Sequence, residues 1–248
     1  MDIADLPTRA PATVPAEALT IADPPDCTFS GWTPEVFEML GRLRETPHID
    51  QYNEEKPHLH EWLKDPFKRY RDDLVVNWVL PSRLDFETER YVFSRLLKND
   101  FGAGGCHDNL WMAFYRPHTK RLKDVQISHR IDPDGFQVGI FVGAHATDLL
   151  AQAQQRIEQA PETYLEHVNA CLAHAQWRFY YRSGKDTPAT HTEPLDALPE
   201  AVLQADGIWL RRFMPRDQVL AWGADLVGEA LSAVRRLWPI YRFYLTSG

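Results

Sequence analysis

The stretch of sequence that decides the fold runs from Lys98 to Gly143 and reads KNDFGAGGCHDNLWMAFYRPHTKRLKDVQISHRIDPDGFQVGIFVG. Apolar and polar residues alternate from Val125 to Ile131, which is the two-residue period of a strand with one buried face. Asp132-Pro133-Asp134-Gly135 is a strong turn signal, and Phe136 to Val142 follows as the partner strand. Leu110 to Tyr115 predicts a third strand. We therefore expect the stretch to fold back on itself as one curved β platform.

Apolar residues recur at helical spacing on both sides of this platform. A helix is predicted from Thr33-Pro34 to Thr46-Pro47, because threonine suits the N-cap and proline is tolerated at the next position. A second helix is predicted from Tyr52 to Leu74, and Pro66 should kink or split it. The remaining predicted elements are helices at Thr147–Gln159, Glu162–Ala175 and Pro215–Pro239, and strands at Val75–Leu80, Tyr91–Leu97, Gln176–Arg182 and Ile208–Phe213.

The order of these elements predicts an α+β fold, in which amphipathic helices pack on a mostly antiparallel sheet. The strands come as hairpins, without the alternation of strand and helix that a doubly wound sheet needs. Neither an internal repeat nor a long linker divides the chain, so residues 30–248 are expected to form a single domain. Residues 1–29 hold five prolines among alanines and acids, which predicts a disordered tail.

Composition limits the classes of function. The chain has 248 residues and a formal net charge of −8, so bulk attraction to nucleic acid or to an anionic membrane is not expected. Binding of nucleic acid would need a local basic face. Cys27, Cys106 and Cys171 form no C-x-x-C pair, which favours reduced thiols and a cytoplasmic location. The sequence begins with no signal-peptide pattern and has no apolar run long enough to span a membrane.

Three patterns suggest chemistry, and each has a simpler structural interpretation. His58 and His60 would point about 200° apart around a helix, so surface histidines are favoured over a metal site. Cys106-His107-Asp108 places a thiol beside a base, but adjacent residues rarely face each other, and a turn with a buried thiol is preferred. Gly102-Ala103-Gly104-Gly105 lacks the Gly-Lys-Ser/Thr ending of a phosphate loop. No metal and no cofactor are predicted.

The candidate binding site is a basic loop from Arg116 to Lys123 with aromatic neighbours, a combination that can hold anions and stack on bases. Its residues are Arg116, Lys120, Arg121 and Lys123 in the loop, Arg95, Lys98 and Arg130 nearby in sequence, and the rings of Trp111, Phe114 and Tyr115. The alternative is a solvated loop whose charges keep an edge strand from pairing with neighbouring molecules.

Two parts of the sequence resemble a bacterial family of domains of unknown function. Gln51-Tyr52-Asn53-Glu54-Glu55-Lys56, followed by Glu61, Lys64 and Asp65-Pro66-Phe67, is similar to the family's W-F-x-x-N-K-x-x-Y…E-P-F helix. Thr33-Pro34-Glu35 with Leu40 and Leu43 resembles its opening F-T-P-E…F-L-x-x-L. Gln51 stands where the family has Trp, and Leu59 where it has Tyr. Asp132–Gly135 and Gly139–Phe141 resemble the family's p-D-G…G-x-G hairpin.

The middle of the chain departs from that family. Lys98-Asn99-Asp100-Phe101-Gly102 stands in place of the family's R-D-x-R-F-S-K-D-K-x-P-Y-K. This variant resembles a divergent branch encoded beside McrB-like or MoxR-like AAA+ ATPases, and the likeness covers roughly residues 28–180. The resemblance implies an α+β fold and a bacterial cytosolic setting, but no established reaction.

Two hypotheses of function follow. The first is a non-catalytic binding or adaptor domain that recognises a protein partner or a nucleic acid through the sheet face and the basic loop, in the service of an AAA+ ATPase. The second is an enzyme with a non-standard polar site. That site would be built from Lys56, Lys98, Asp100, His107, Tyr115 and Gln126.

Overall fold

The computed structural model describes residues 7–246 and shows a single α+β fold around a six-stranded antiparallel sheet. The strands are β1 (Leu110–Phe114), β2 (Gln126–Asp132), β3 (Gly135–Gly143), β4 (Trp177–Arg182), β5 (Ala189–His191) and β6 (Gly207–Pro215). Their order across the sheet is β1-β2-β3-β6-β4-β5, and every neighbouring pair is antiparallel. The predicted fold class is confirmed.

The hairpin of β2 and β3 forms at the predicted turn. Asp132 pairs with Gly135 at its end, and Gly135 has a backbone φ of +154°. A Cβ atom at this position would lie 2.1 Å from the carbonyl oxygen of Met214 on β6. Glycine is therefore required there by the backbone conformation and by the close approach of a third strand.

The α-helices pack on one face of the sheet, and their apolar sides meet the inward side chains of the strands in one continuous core. They are α1 (Pro34–Glu45), α2 (Ile49–Glu55), α3 (Asp65–Leu74), α4 (Thr147–Gln159), α5 (Pro161–Leu172), α6 (Arg216–Trp222) and α7 (Leu226–Leu245). Within residues 7–246, no helix combines the length and the apolar composition needed to cross a bilayer.

The second helix is interrupted at residues 56–58, before Pro66, and at Pro66 itself the chain stays helical with a change of winding. A π-helical turn at Leu59–Lys64 ends immediately before α3, and Pro66 lies in the first turn of α3. The change of winding just before Pro66 accommodates a residue that lacks the amide hydrogen and crowds the preceding turn.

The strand predicted at Val75–Leu80 is wrong. Residues Val75–Val79 form a second π-helical turn that continues α3, and this turn buries Trp78 and Val79. The β-branched residues favour a strand locally, but burial of the Trp78 indole against Phe114 and Trp238 outweighs that small preference.

The segment predicted as a strand at Tyr91–Leu97 is irregular. It runs beside β1 and makes only isolated bridges, Phe93 with Met112 and Leu97 with Cys106. Tyr91 has a positive φ of 56°, which interrupts an extended chain. The free edge of β1 is therefore covered by a loop instead of a seventh strand.

The helix predicted from Pro215 to Pro239 is interrupted within its range and extends beyond its predicted end. Gly223, with a φ of +54°, separates α6 from α7. Pro239 lies inside α7, which continues to Leu245. The helix tolerates this proline because the residues after it, including Ile240, Tyr241 and Tyr244, are fully buried, and their packing offsets the missing hydrogen bond.

The predicted tail is wrong for its described part, residues 7–29; residues 1–6 and 247–248 lie outside the described range. Val14, Leu19 and Phe29 are buried in the core. The Trp238 indole Nε1 donates to the carbonyl oxygen of Val14 at 2.8 Å. The apolar residues of this segment follow no helical or strand period, because individual contacts of this kind fix the segment on the core.

Buried polar side chains satisfy the backbone of this N-terminal segment. The Asp73 carboxylate accepts hydrogen bonds from the amides of Thr28 and Phe29. Asn77 Oδ1 accepts from the amide of Asp26, and its Nδ2 donates to the Asp26 carbonyl oxygen. An irregular chain can pack tightly where its amides and carbonyls find such partners.

We expect Val14→Ala to lower the free energy of unfolding by about 2 kcal/mol, from two buried methyl groups and the cavity they leave. The control is Glu17→Ala, at an exposed position of the same segment, which should change it by less than about 0.5 kcal/mol. Urea unfolding measures both. Equal stability of the two variants would contradict the packed N-terminal segment.

One histidine is buried in the core. His129 alternates with Ile127 and Ile131 on the inward side of β2 and is 0% exposed. Its Nδ1 lies 2.9 Å from the hydroxyl of Tyr70. Burial lowers the pKa of His129 to about 3, so the ring is neutral in the folded protein.

This histidine makes stability depend on pH. Its pKa is about 3 when folded and about 6.5 when unfolded, so its contribution is complete above pH 6.5 and is lost as the pH falls toward 3. Between pH 7 and pH 5 we expect a loss of about 2 kcal/mol from this group. Urea unfolding of His129→Asn, which keeps a polar group toward Tyr70 but does not titrate, should lack this loss. The same loss in both proteins would refute the assignment.

Candidate functional site

The second face of the sheet carries polar and aromatic side chains instead of a helical layer. Residues that alternate with the core positions point to this side, and the rings of Trp111, Phe141, Trp209 and Phe213 on it lie outside the hydrophobic core cluster. We call this surface the open face. It is formed by outward residues of β1, β2, β3, β6 and β4.

A cavity of about 200 Å³ lies at the centre of the open face. Its floor is Gly139, which pairs with Ser128 on one side and with Arg211 on the other. A Cβ atom on Gly139 would approach Arg211 Cβ to 2.4 Å. Because glycine has no side chain, the space above this residue is left for the cavity. The cavity is lined by Trp111, Leu122, Gln126, Ser128, Arg130, Gln137, Gly139, Ile140, Phe141, Trp209 and Arg211.

Three aromatic rings stack in a row across the strands at one end of the cavity. The centroids of Phe141 and Trp209 are 4.6 Å apart, and those of Trp209 and Tyr180 are 5.0 Å apart. The Phe141 ring leans over Gly143 and the Trp209 ring over Gly207, where a Cβ atom would come within 2.1 and 2.5 Å of them. Because both rings lean away from Gly139, the space above that glycine stays open.

Arginines surround these rings. The guanidinium of Arg211 lies 4.4 Å from the centroid of Tyr180, that of Arg178 lies 4.6 Å from Phe213, and that of Arg182 lies 5.9 Å from Trp209. Burial lowers the pKa of Arg211, and the nearby charges of Arg130 and Arg178 add to the effect. The guanidinium remains charged at neutral pH. Together, Arg178, Arg182 and Arg211 give the open face a local positive charge.

One buried carboxylate orders the polar groups at the other end of the cavity. Asp132 is 3% exposed, and burial raises its pKa. Its Oδ2 accepts a hydrogen bond of 2.7 Å from Gln137 Nε2 and lies 3.3 Å from Arg130 Nε. The contact between Arg130 and Asp132 is an ion pair, but its geometry is not that of a hydrogen bond. Because the Gln137 amide nitrogen faces the carboxylate, its Oε1 is left as a free acceptor.

Several buried polar atoms at this cavity have no hydrogen-bonding partner among the described residues. They are Gln126 Nε2, Gln137 Oε1, Arg130 Nε and Arg211 Nε. Gln126 and Gln137 are only 2% and 7% exposed. A buried polar atom without a partner is costly, so these atoms complete their hydrogen bonds with water or with a bound molecule.

The structure brings together some of the residues predicted from sequence. Trp111, Gln126 and Arg130 line the cavity. The guanidinium of Arg121 lies 4.2 Å from the centroid of Trp111 at its rim, and its Nη1 donates to the carbonyl oxygen of Tyr91 at 2.8 Å.

Other predicted residues lie elsewhere. Arg95 and His107 line a shallow depression beside Trp111, and Lys120 and Lys123 line another beside Tyr91. Lys56 and Lys98 are exposed, and Asp100 accepts from the Gly105 amide within the glycine turn. The Tyr115 side chain is buried, and its hydroxyl donates to the carbonyl oxygen of Arg90.

Arg116 has a structural partner. Its Nη2 lies 2.7 Å from Oδ1 of Asp124, a carboxylate that is fully buried, and its backbone amide donates to Oδ2 of the same residue. This bidentate pair joins the first residue of the basic loop to the residue that follows its end. The charge of Arg116 is therefore compensated inside the fold.

The Cys106-His107-Asp108 pattern does not form a catalytic dyad. The Cys106 thiol is buried and points to the carbonyl oxygen of His48, and burial raises its pKa. Asp108 binds Arg44 at 2.8 Å. His58 stacks on Trp62 at 4.1 Å, as a surface histidine would. Among residues 7–246, no group of three or more histidine, cysteine or acidic side chains is placed to hold a metal ion.

Sequence reasoning missed the half of the site that β3, β4 and β6 supply. The missed residues of these strands are Gln137, Gly139, Phe141, Arg178, Tyr180, Trp209 and Arg211, and Ser128 on β2 was missed as well. A signal was present in the two later strands, where WRFYYR and GIWLRRFMP place arginines and rings at alternate positions. Arginines that recur on one face of a strand indicate that this face lies outside the core.

No protein-family model matches the sequence, and a search among curated proteins finds no match at a significant level. The similarity to a bacterial family of domains of unknown function therefore remains an expectation that rests on the quoted motifs.

We expect Arg116→Ala to lower the free energy of unfolding by roughly 2–3 kcal/mol, because it leaves Asp124 buried and unpaired. The value is below that of a fully buried pair because 32% of the Arg116 side chain is exposed. The matched control is Lys123→Ala in the same loop, which should change it by less than about 0.5 kcal/mol. Urea unfolding gives both values, and equal effects would show that Arg116 is an ordinary loop charge.

Proposed function

We propose that this protein is a non-catalytic binding domain that captures single-stranded nucleic acid on the open face of its sheet. The observation that carries the proposal is the row of stacked rings, Phe141, Trp209 and Tyr180, interleaved with arginines on a sheet face that no helix covers. Aromatic platforms with a basic groove are the means by which proteins hold single strands without reading a duplex.

The charge of the open face supports an anionic partner. The whole chain carries −8, which opposes non-specific attraction to polyanions. The arginines Arg130, Arg178, Arg182 and Arg211 nevertheless lie on one surface, and Asp132 beneath them is already shared by Arg130 and Gln137. Guanidinium groups bind phosphate bidentately and stack on planar rings, so they suit a strand better than lysines would.

A protein partner is the second candidate, and the resemblance to domains encoded beside AAA+ ATPases motivates it. The supporting observation is an apolar patch at the rim of the open face, where Tyr91 is 85% exposed and Leu122 is 43% exposed. Lys120 and Lys123 lie beside this patch. An adaptor role would place that rim, instead of the row of rings, at the contact.

The enzyme alternative has less support. Its six polar residues are distributed over the cavity, the glycine turn and separate exposed positions. A cytoplasmic location belongs to the same proposal, and the free thiols of Cys27, Cys106 and Cys171 are consistent with it.

The test is fluorescence anisotropy with labelled single strands of DNA and of RNA, about 20 nucleotides long, which exceeds the span of a single small binding face. Arg178→Glu/Arg211→Glu should weaken binding at least tenfold. It should also reduce the slope of log affinity against log salt concentration by about 0.7 for each phosphate contact that is lost. Trp209→Ala should weaken it by about 1–3 kcal/mol through lost stacking.

The matched control is Arg69→Glu/Arg235→Glu, which makes the same change in charge at two exposed helical positions. This variant should bind like the wild type. Equal binding by all variants, or no binding of any single strand by the wild type at low salt, would overturn the proposal. Loss of a protein partner on changing Tyr91 and Leu122, with no effect of the open-face arginines, would favour the adaptor role.

A further inference from the structure

We infer that the cavity above Gly139 is a subsite for one nucleobase, whose hydrogen-bonding edge is read by the side-chain amides of Gln126 and Gln137. This inference rests on the proposed function, since the base would belong to a strand held by the surrounding rings and arginines. It adds to that function a preference for base identity at one position of the strand.

The size of the cavity fits one small planar group. Its volume of about 200 Å³ is below the range of about 300–1,000 Å³ that drug-sized ligands occupy. Its walls include the indole of Trp111 on one side and the rings of Phe141 and Trp209 on the other. Apolar planar walls with a flat floor at Gly139 favour a ring over a branched or extended group.

The free polar atoms favour a ligand that both accepts and donates hydrogen bonds. Gln126 offers an unpaired donor at Nε2, and Gln137 offers an unpaired acceptor at Oε1. A sulfate has no proton and could satisfy the donor only, and hydrogen phosphate has a single P–OH group with which to reach the acceptor. Every nucleobase carries donors and acceptors on its edges, and glutamine is a common partner for such an edge.

The orientation of the Gln137 amide is fixed by its surroundings. Its Nε2 donates to Asp132 Oδ2 at 2.7 Å, so the amide cannot turn over without losing that bond and placing Oε1 against a carboxylate. Asp132 Oδ1 is held in turn by the backbone amide of Asp134 at 3.1 Å. Asp132 is thus a positioning residue, and Gln137 presents an acceptor to the cavity before any ligand arrives.

The arginines at the rim supply the rest of a nucleotide site. Arg130 and Arg211 line the same cavity, and the Nε of each has no hydrogen-bonding partner among the described residues. A base held above Gly139 would place its sugar and phosphates toward the rim. This arrangement separates two tasks, because the amides discriminate among bases whereas the arginines hold the backbone of any strand.

The experiment compares the affinities of four homopolymeric single strands, in DNA and RNA versions, for wild-type protein and two variants. We expect the wild type to prefer one base over the poorest by about tenfold, which one good pair of hydrogen bonds provides. Gln126→Met keeps the side-chain volume and removes the unpaired donor, so the preference should fall to less than about threefold. Affinity for the poorest homopolymer should stay unchanged.

A second variant tests the cavity itself. Ser128→Leu adds a side chain next to Gly139 and should exclude the base, which lowers affinity for the preferred homopolymer to that of the others. Persistence of the preference in both variants, or equal binding of all four homopolymers by the wild type, would overturn the inference while leaving the proposed function intact.

A separate arm applies if the wild type binds no strand and the proposed function fails. Uncharged nucleosides and inorganic phosphate are then titrated against the protein and followed by NMR of the Gln126 side-chain amide and the Trp111 indole. Shifts with a nucleoside but not with phosphate, absent in Ser128→Leu, would uphold the base subsite alone. No shift with any nucleoside would overturn it.

Discussion

The pairing of β3 with β6 is the interaction on which the rest of the structure depends. It joins nine residue pairs, from Gly135 with Pro215 to Gly143 with Gly207, and it links the hairpin of β2 and β3 to the C-terminal part of the chain. This ladder sets Gly139 opposite Arg211 and Phe141 opposite Trp209. A shift of one residue would turn every outward ring and arginine into the core, so the burial of the inward side chains fixes the register. The fold and the candidate site therefore have the same origin.

The parts of the fold that could be predicted from sequence are those whose signals are local. The alternation at Val125–Ile131 and the turn at Asp132–Gly135 define a hairpin within a short stretch, and the apolar period of α4 defines a helix in the same way. The pairing of β3 with β6 brings together residues about 70 positions apart, and no local pattern reports which strands become neighbours. For this reason half of the candidate site, including Trp209 and Arg211, could not be joined to Trp111 and Gln126 beforehand.

Two other differences from expectation have physical causes of the same kind. The N-terminal segment lacks any period because Asp73 and Asn77, on a distant helix, take the place of regular backbone pairing. The charge of Arg116 belongs to the fold because Asp124 is buried eight residues later. In each case a residue's role is decided by a partner that its own neighbours in sequence do not reveal.

The position of β6 between β3 and β4 has a further consequence for residues 183–199, which are mostly exposed and hold the short strand β5. A chain cut within that connection would leave two fragments, and the second would still lie between two strands of the first, paired along both of its edges. The severed protein would behave as a tight heterodimer whose association rebuilds the sheet. Hydrogen bonds along both edges of β6 thus join the two parts of the molecule in addition to the covalent connection.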